Sequence, residues 1–188
     1  MSEPGHVATG PDRSSRAATL VGQLQQASEA LILLVERIEP ERWLNVPKPG
    51  MWSPSKDAER VADGAACHQW TVRLSLGQKV SARLHIERRQ LTTQRSQREV
   101  VNLLRHRTND SVGLIAGLSD EQLDRPVRPA RARSRSLAQM IEDVLTGRYH
   151  AHRTAIEAKL RAQSGDYMNA QCTCLADVDF ARTRSTCM

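Results

Sequence analysis

Residues 136–162 read SLAQMIEDVLTGRYHAHRTAIEAKLRA, and the periodicity of this stretch decides the fold. Ser136 followed three places on by Gln139 forms a capping box, which marks a helix start. From there Leu137, Ile141, Val144, Arg148, His152 and Ala155 recur at intervals of three and four, the spacing of one helical face. The sequence predicts a helix running to about Ala162. Successive residues on a helix turn by about 100°, so His150 and His152 point to nearly opposite sides. The two histidines that catch the eye therefore cannot share a ligand. Arg148 and His152, four apart, lie together on the core-facing stripe, and an ionisable pair there is unusual. Structurally, the arginine would snorkel to a bundle end or pair with a buried carboxylate, for which Asp57, Asp63 and Asp143 are candidates.

Three further helices read out by the same logic. Leu20, Leu24, Ala27, Leu31, Leu34 and Ile38 predict a first helix over 16–38, stopped by Pro40. Ser53 and Pro54 supply an N-cap and a first-turn proline for a second, with stripe Val61, Ala65, His68, Val72 and Leu76 and a stop at Gly77. Ser96 and Glu99 box the start of a third, with stripe Val101, Leu104, Ser111, Ile115 and Leu118. The segment KVSARLHIERRQL between the second and third reads as an extended crossover. The fold expected is an all-α four-helix bundle with one long crossover. Residues 1–15 and 165–188 are polar or aperiodic and are expected to be disordered, leaving 16–164 as the domain.

Composition limits what such a domain can be. In 188 residues only 3% are aromatic, so aliphatic side chains must build the core. Lys+Arg number 27 against 21 Asp+Glu, for a net charge of +6, which would attract anions of any kind without choosing among them. Three of the four cysteines, Cys172, Cys174 and Cys187, sit near the C-terminal end. A lone C-x-C lacks the second ligand pair of a structural zinc site. With no leader-like segment and no membrane-spanning apolar run, a cytoplasmic, reduced setting and no membrane partner are expected. Five arginines crowd residues 125–135, but without interleaved aromatics or a nucleic-acid module the stretch reads as a solvated loop.

Two motifs, WSPSKDAERVADGAACHQW (52–70) and LAQMIEDVLTGRYHAHRTAIEAKL (137–160), resemble those of the DinB-like four-helix-bundle family. That family includes mycothiol- and bacillithiol-dependent transferases and isomerases. The resemblance spans roughly 16–162 and implies a site in which one histidine of the second helix and two of the fourth hold zinc or nickel. Carried over residue by residue, those positions fall on Arg60, Arg148 and His152. Only one of the three is a histidine.

That departure shapes the functional expectation. Arginine is permanently cationic and has no lone pair for a metal. Cys67 and His68 lie about 10 Å along the helix from Arg60, too far to replace it easily, and read as packing residues. The resemblance thus implies a protein of thiol-transferase ancestry with a degenerate metal site. Arg60, Arg148 and His152 would then hold a small acidic molecule, or form an internal salt-bridge cluster. A competing reading keeps an active metal-dependent thiol transferase, with His152 ligating zinc or nickel and a mycothiol-type low-molecular-weight thiol as partner. A third is an interaction protein working as a homodimer or through loop 125–135, with nucleic acid disfavoured.

Overall fold

The computed structural model describes residues 14–48, 50–80, 95–127 and 134–163. Most of both expected disordered segments, the crossover and the middle of the basic loop lie outside the described residues.

Helix α1 (Ser15–Glu36) is capped by Ser14, whose hydroxyl accepts from the Ala17 amide. It buries Leu20, Leu24, Ala27, Leu31 and Val35 along one stripe. The single turn α2 (Pro40–Trp43) inserts Trp43, and its indole N–H donates to the Arg95 carbonyl at 3.4 Å. Helix α3 (Pro54–Ser75) starts at the Ser53 cap with Pro54 in the first turn, as its sequence predicts. It ends before Gly77, whose φ of +73° is the left-handed turn that favours glycine. Helix α4 (Gln97–Ala116) carries the Ser96–Glu99 capping box, and α5 (Asp120–Asp124) a second one from Ser119 and Gln122. A two-residue ribbon, β1 (Pro126–Val127) antiparallel to β2 (Arg135–Ser136), closes the base of the basic loop.

The last rod has three parts: α6 (Leu137–Met140), a π-helical segment (Ile141–Thr146) and α7 (Gly147–Gln163). In the wide turns the Gly147 amide bonds the Glu142 carbonyl, five residues back. This insertion rotates α7 relative to the continuation of an uninterrupted α-helix, and it corrects the predicted stripe. Leu145, Tyr149, His152, Ile156 and Lys159 are buried, whereas Val144, Arg148 and Ala155 are only partly so.

Packing makes these rods a bundle. Helix α1 lies along α4, α3 packs against α4 and α7, and α7 returns to touch α1. Leu24, Leu31, Leu104, Leu137, Ile141 and Ile156 are fully buried at the centre. Each such side chain contributes roughly 1.5–3 kcal/mol relative to exposure. Some of the polar groups inside are satisfied by one another. Ser28 and Thr108 hydroxyls sit 2.7 Å apart, and Thr108 reaches the Tyr149 hydroxyl at 3.0 Å, linking three helices. Among the described residues no helix is long and apolar enough to cross a membrane. The all-α bundle expected from periodicity is the fold observed.

Candidate functional site

Helices α3 and α7 run antiparallel, and their facing surfaces carry the ionisable residues. Asp57 at the start of α3 meets Lys159 near the end of α7, and Gly64, two turns along α3, meets Arg148 at the start of α7. The reason lies in helical spacing: Asp57, Gly64 and His68 share one face of α3, and Arg148, His152 and Lys159 share one face of α7.

At one end of this seam Asp57 is 2% exposed. It accepts from His152 Nδ1 at 3.3 Å through Oδ1 and from Lys159 Nζ through Oδ2. A carboxylate can only accept, so His152 donates from Nδ1 and its Nε2 faces the other way. His152 and Lys159 are also buried. Removing such charges from water is costly, and only mutual pairing makes the arrangement tolerable. Asp57 gains a further contribution from its place in the first turn of α3, where the helix dipole favours negative charge.

At the other end the Arg148 guanidinium occupies the space that a Cβ at residue 64 would need. A glycine in mid-helix is intrinsically unfavourable by about 1 kcal/mol, and here it makes a berth for the arginine. His68 stands one turn further on. Its Nε2 is buried without a hydrogen-bond partner. Burial, and secondarily the neighbouring Arg148 charge, push its pKa down to about 4, so the ring is neutral at physiological pH.

Arg60 belongs to the same helix but turns outward. It is exposed, and its guanidinium carbon lies 4.2 Å from the centre of the Trp52 ring, a cation–π contact. The three expected positions therefore do not converge as side chains: His152 is buried, Arg148 is half-buried and Arg60 lies on the surface. His150 is exposed, as its helical phase requires.

The carboxylates proposed from sequence as partners for Arg148 have other engagements in addition. Asp57 holds His152 and Lys159, Asp63 faces Arg95 at 3.6 Å, and Asp143 faces Arg135 at 3.3 Å. Burial raises the Asp63 pKa, with Arg95 opposing. Buried Glu59 accepts from the Arg95 amide at 3.3 Å and from Lys56 at 3.4 Å, so this acidic pair anchors the chain entering α4.

Sequence reasoning missed Lys159 as a member of the site. Its signal was present: it lies seven residues beyond His152, two helical turns on the same face. Gly64, an isolated glycine inside a helical pattern, was a second overlooked signal of close approach.

Among the described residues no group of three or more His, Cys, Asp and Glu side chains could hold a metal ion. The donor chemistry explains this. The three positions of a family-type site offer one imidazole and two guanidiniums, which donate hydrogen bonds and supply no lone pair. These residues do not fit a divalent cation.

An all-α bundle with a charged seam between its second and fourth long helices is thus the class that fold and site define. The family model of the DinB superfamily matches residues 23–154, which include both the tryptophan–serine start of α3 and the His152–Arg153 dipeptide of α7. The chain belongs to the DinB superfamily. Comparison with curated proteins found no match.

Proposed function

We propose that this DinB-superfamily protein, of thiol-transferase ancestry, binds a small acidic molecule at the α3–α7 seam and holds no catalytic metal there. The observation that carries this reading is the berth of Arg148. Its guanidinium lies inside the bundle against Gly64, while the remaining family-position histidine is held by Asp57, whose other oxygen takes Lys159. A half-buried guanidinium is weakly hydrated and presents a planar fork of donors, the geometry that carboxylates and phosphates recognise. Burial strengthens that attraction over the same charge in water. Arg60, on the exposed edge of the same helix, adds a second positive charge that draws an anion toward the seam.

The two charge clusters divide the work. Asp57, Lys159 and His152 fix α7 against α3, and Arg148 supplies the recognition charge. In this reading the protein is a binding module, and a mycothiol-type thiol would enter only through an acidic group that Arg148 could hold.

Two measurements test the proposal together. Elemental analysis of the purified protein should find zinc and nickel well below one per chain. Calorimetric titration with small carboxylates should give saturable binding that Arg148→Gln removes. Gly64→Ala is a sharper probe, because its Cβ displaces the guanidinium while improving helix propensity by up to about 1 kcal/mol. It should weaken anion binding without lowering the melting temperature. Stoichiometric metal that is lost in His152→Ala would overturn the reading in favour of an active metal-dependent transferase.

A further inference from the structure

His68 has no place in the family-type ligand set, and in the structure its environment is unusual on two independent counts. Its Nε2 is buried and makes no hydrogen bond, whereas most buried polar side-chain atoms have a partner. It also lies one helical turn beyond Gly64, on the face of α3 over which the Arg148 guanidinium is laid. Its neighbour Gln69 shows how such atoms are otherwise satisfied. That side chain gives both the Arg107 carbonyl and the Ser111 hydroxyl a hydrogen bond at 2.9 Å. An unpaired imidazole nitrogen beside a guanidinium is a costly arrangement that ordinary packing does not require. A leucine would fill the same space without the cost.

We propose that His68 is a recognition residue of the seam: the carboxylate of a small ligand seats between the Arg148 guanidinium and the Nε2 edge of His68. This rests on the anion-binding reading of Arg148 and adds the second contact and the ligand class. The neutral ring has one N–H to place, and with that hydrogen on Nε2 it donates to the carboxylate while the guanidinium donates from the other side. Carboxylate geometry suits this pair, since one oxygen can take the fork and the other the imidazole N–H. Ligand binding would thereby satisfy the atom that is unsatisfied in the free protein.

The test is side-chain ¹⁵N–¹H spectroscopy of the full chain labelled at histidine, at pH 7.5, titrated with sodium acetate and, at equal ionic strength, sodium chloride. The expected result is a saturable shift of the His68 nitrogens with acetate only, assigned by its absence in His68→Gln. Arg148→Gln should abolish the response. His68→Leu should weaken acetate binding roughly tenfold, the loss of one charge-assisted hydrogen bond. Its melting temperature without ligand should be equal to or above that of the wild type, because the unpaired nitrogen is gone. His68→Gln, which keeps a polar group of similar reach, serves should the leucine variant not fold. If acetate binds through Arg148 but leaves the His68 nitrogens unmoved, and His68→Leu or His68→Gln binds as tightly as wild type, the role of His68 is overturned and the anion-binding reading survives. If no saturable acetate response is seen, or if it is indifferent to Arg148→Gln, both fall.

Discussion

At the scale of single residues, the buried triad of Asp57, His152 and Lys159 makes a demanding prediction. Lys159→Met deletes one cation and leaves the buried Asp57 carboxylate with His152 alone. Breaking a buried pair from one side costs about 3–5 kcal/mol, far more than the pair itself contributes. The expected outcome is a large drop in denaturation midpoint, most of it recovered in the double variant Asp57→Leu/Lys159→Met, where no charge is stranded. Equal and additive losses from the two substitutions would show that the contact is not an energetic unit. His68 yields a prediction about pH. Its pKa lies near 4 in the folded protein against 6.5 in an unfolded chain. Between these values the unfolded state binds more protons, so acidification from pH 6.5 toward 4 erodes stability, and the loss is complete below the folded value. At 1.36 kcal/mol per unit the full loss is on the order of 3 kcal/mol. Urea denaturation across this range should show wild type losing stability relative to His68→Leu as the pH falls. A difference between the two that stays constant from pH 7 to 4 would show that the ring titrates alike in both states.

Whole elements show where the sequence could be read and where it could not. Capping boxes marked two helix starts, because Ser96–Glu99 and Ser136–Gln139 are local chemistry that needs no tertiary context. Apolar periodicity likewise placed Leu20, Leu24, Leu104 and Ile115 in the core. The last rod was harder. Its π segment, Ile141–Thr146, has no distinctive composition, and periodicity drawn straight through it gave Val144 and Ala155 in place of Leu145, Tyr149 and Lys159. A π-bulge is in effect one extra residue in an α-helix. Deleting the exposed Glu142 should therefore return the rod to α-helix while both flanks keep their faces. Helical circular dichroism and Arg148-dependent anion binding should persist in that variant. Inserting an alanine at the same place should instead rotate α7 by about 100° and unfold the bundle. A deletion as damaging as the insertion would rule out the single-residue account of the register.

For the whole molecule, the superfamily frame and the local chemistry point in different directions, and the residue changes that separate them are few. The bundle, the tryptophan–serine entry to α3 and the helical pairing of Arg148 with His152 were all legible in the sequence. The outward turn of Arg60 was not, nor was the contact of its guanidinium with the Trp52 ring, 4.2 Å from its centre. Nor was the Nδ1 contact of His152 with Asp57, which joins residues 95 positions apart. That contact has a consequence for metal chemistry. Histidine ligands generally donate their second nitrogen to a carboxylate, which fixes the ring and raises its basicity. His152 is held in this way, with Nε2 turned from Asp57, and we propose that the guanidinium groups of Arg60 and Arg148 are the obstacle to a metal site. The double variant Arg60→His/Arg148→His removes both at once. It should bind close to one zinc per chain by elemental analysis and equilibrium dialysis, with wild type and the two single variants well below that level. His152→Ala in the same background should abolish the gain, and zinc should raise the melting temperature of the double variant alone. Failure of the double variant to gain zinc while remaining folded would show that Arg60 and Arg148 do not stand at the ancestral ligand positions.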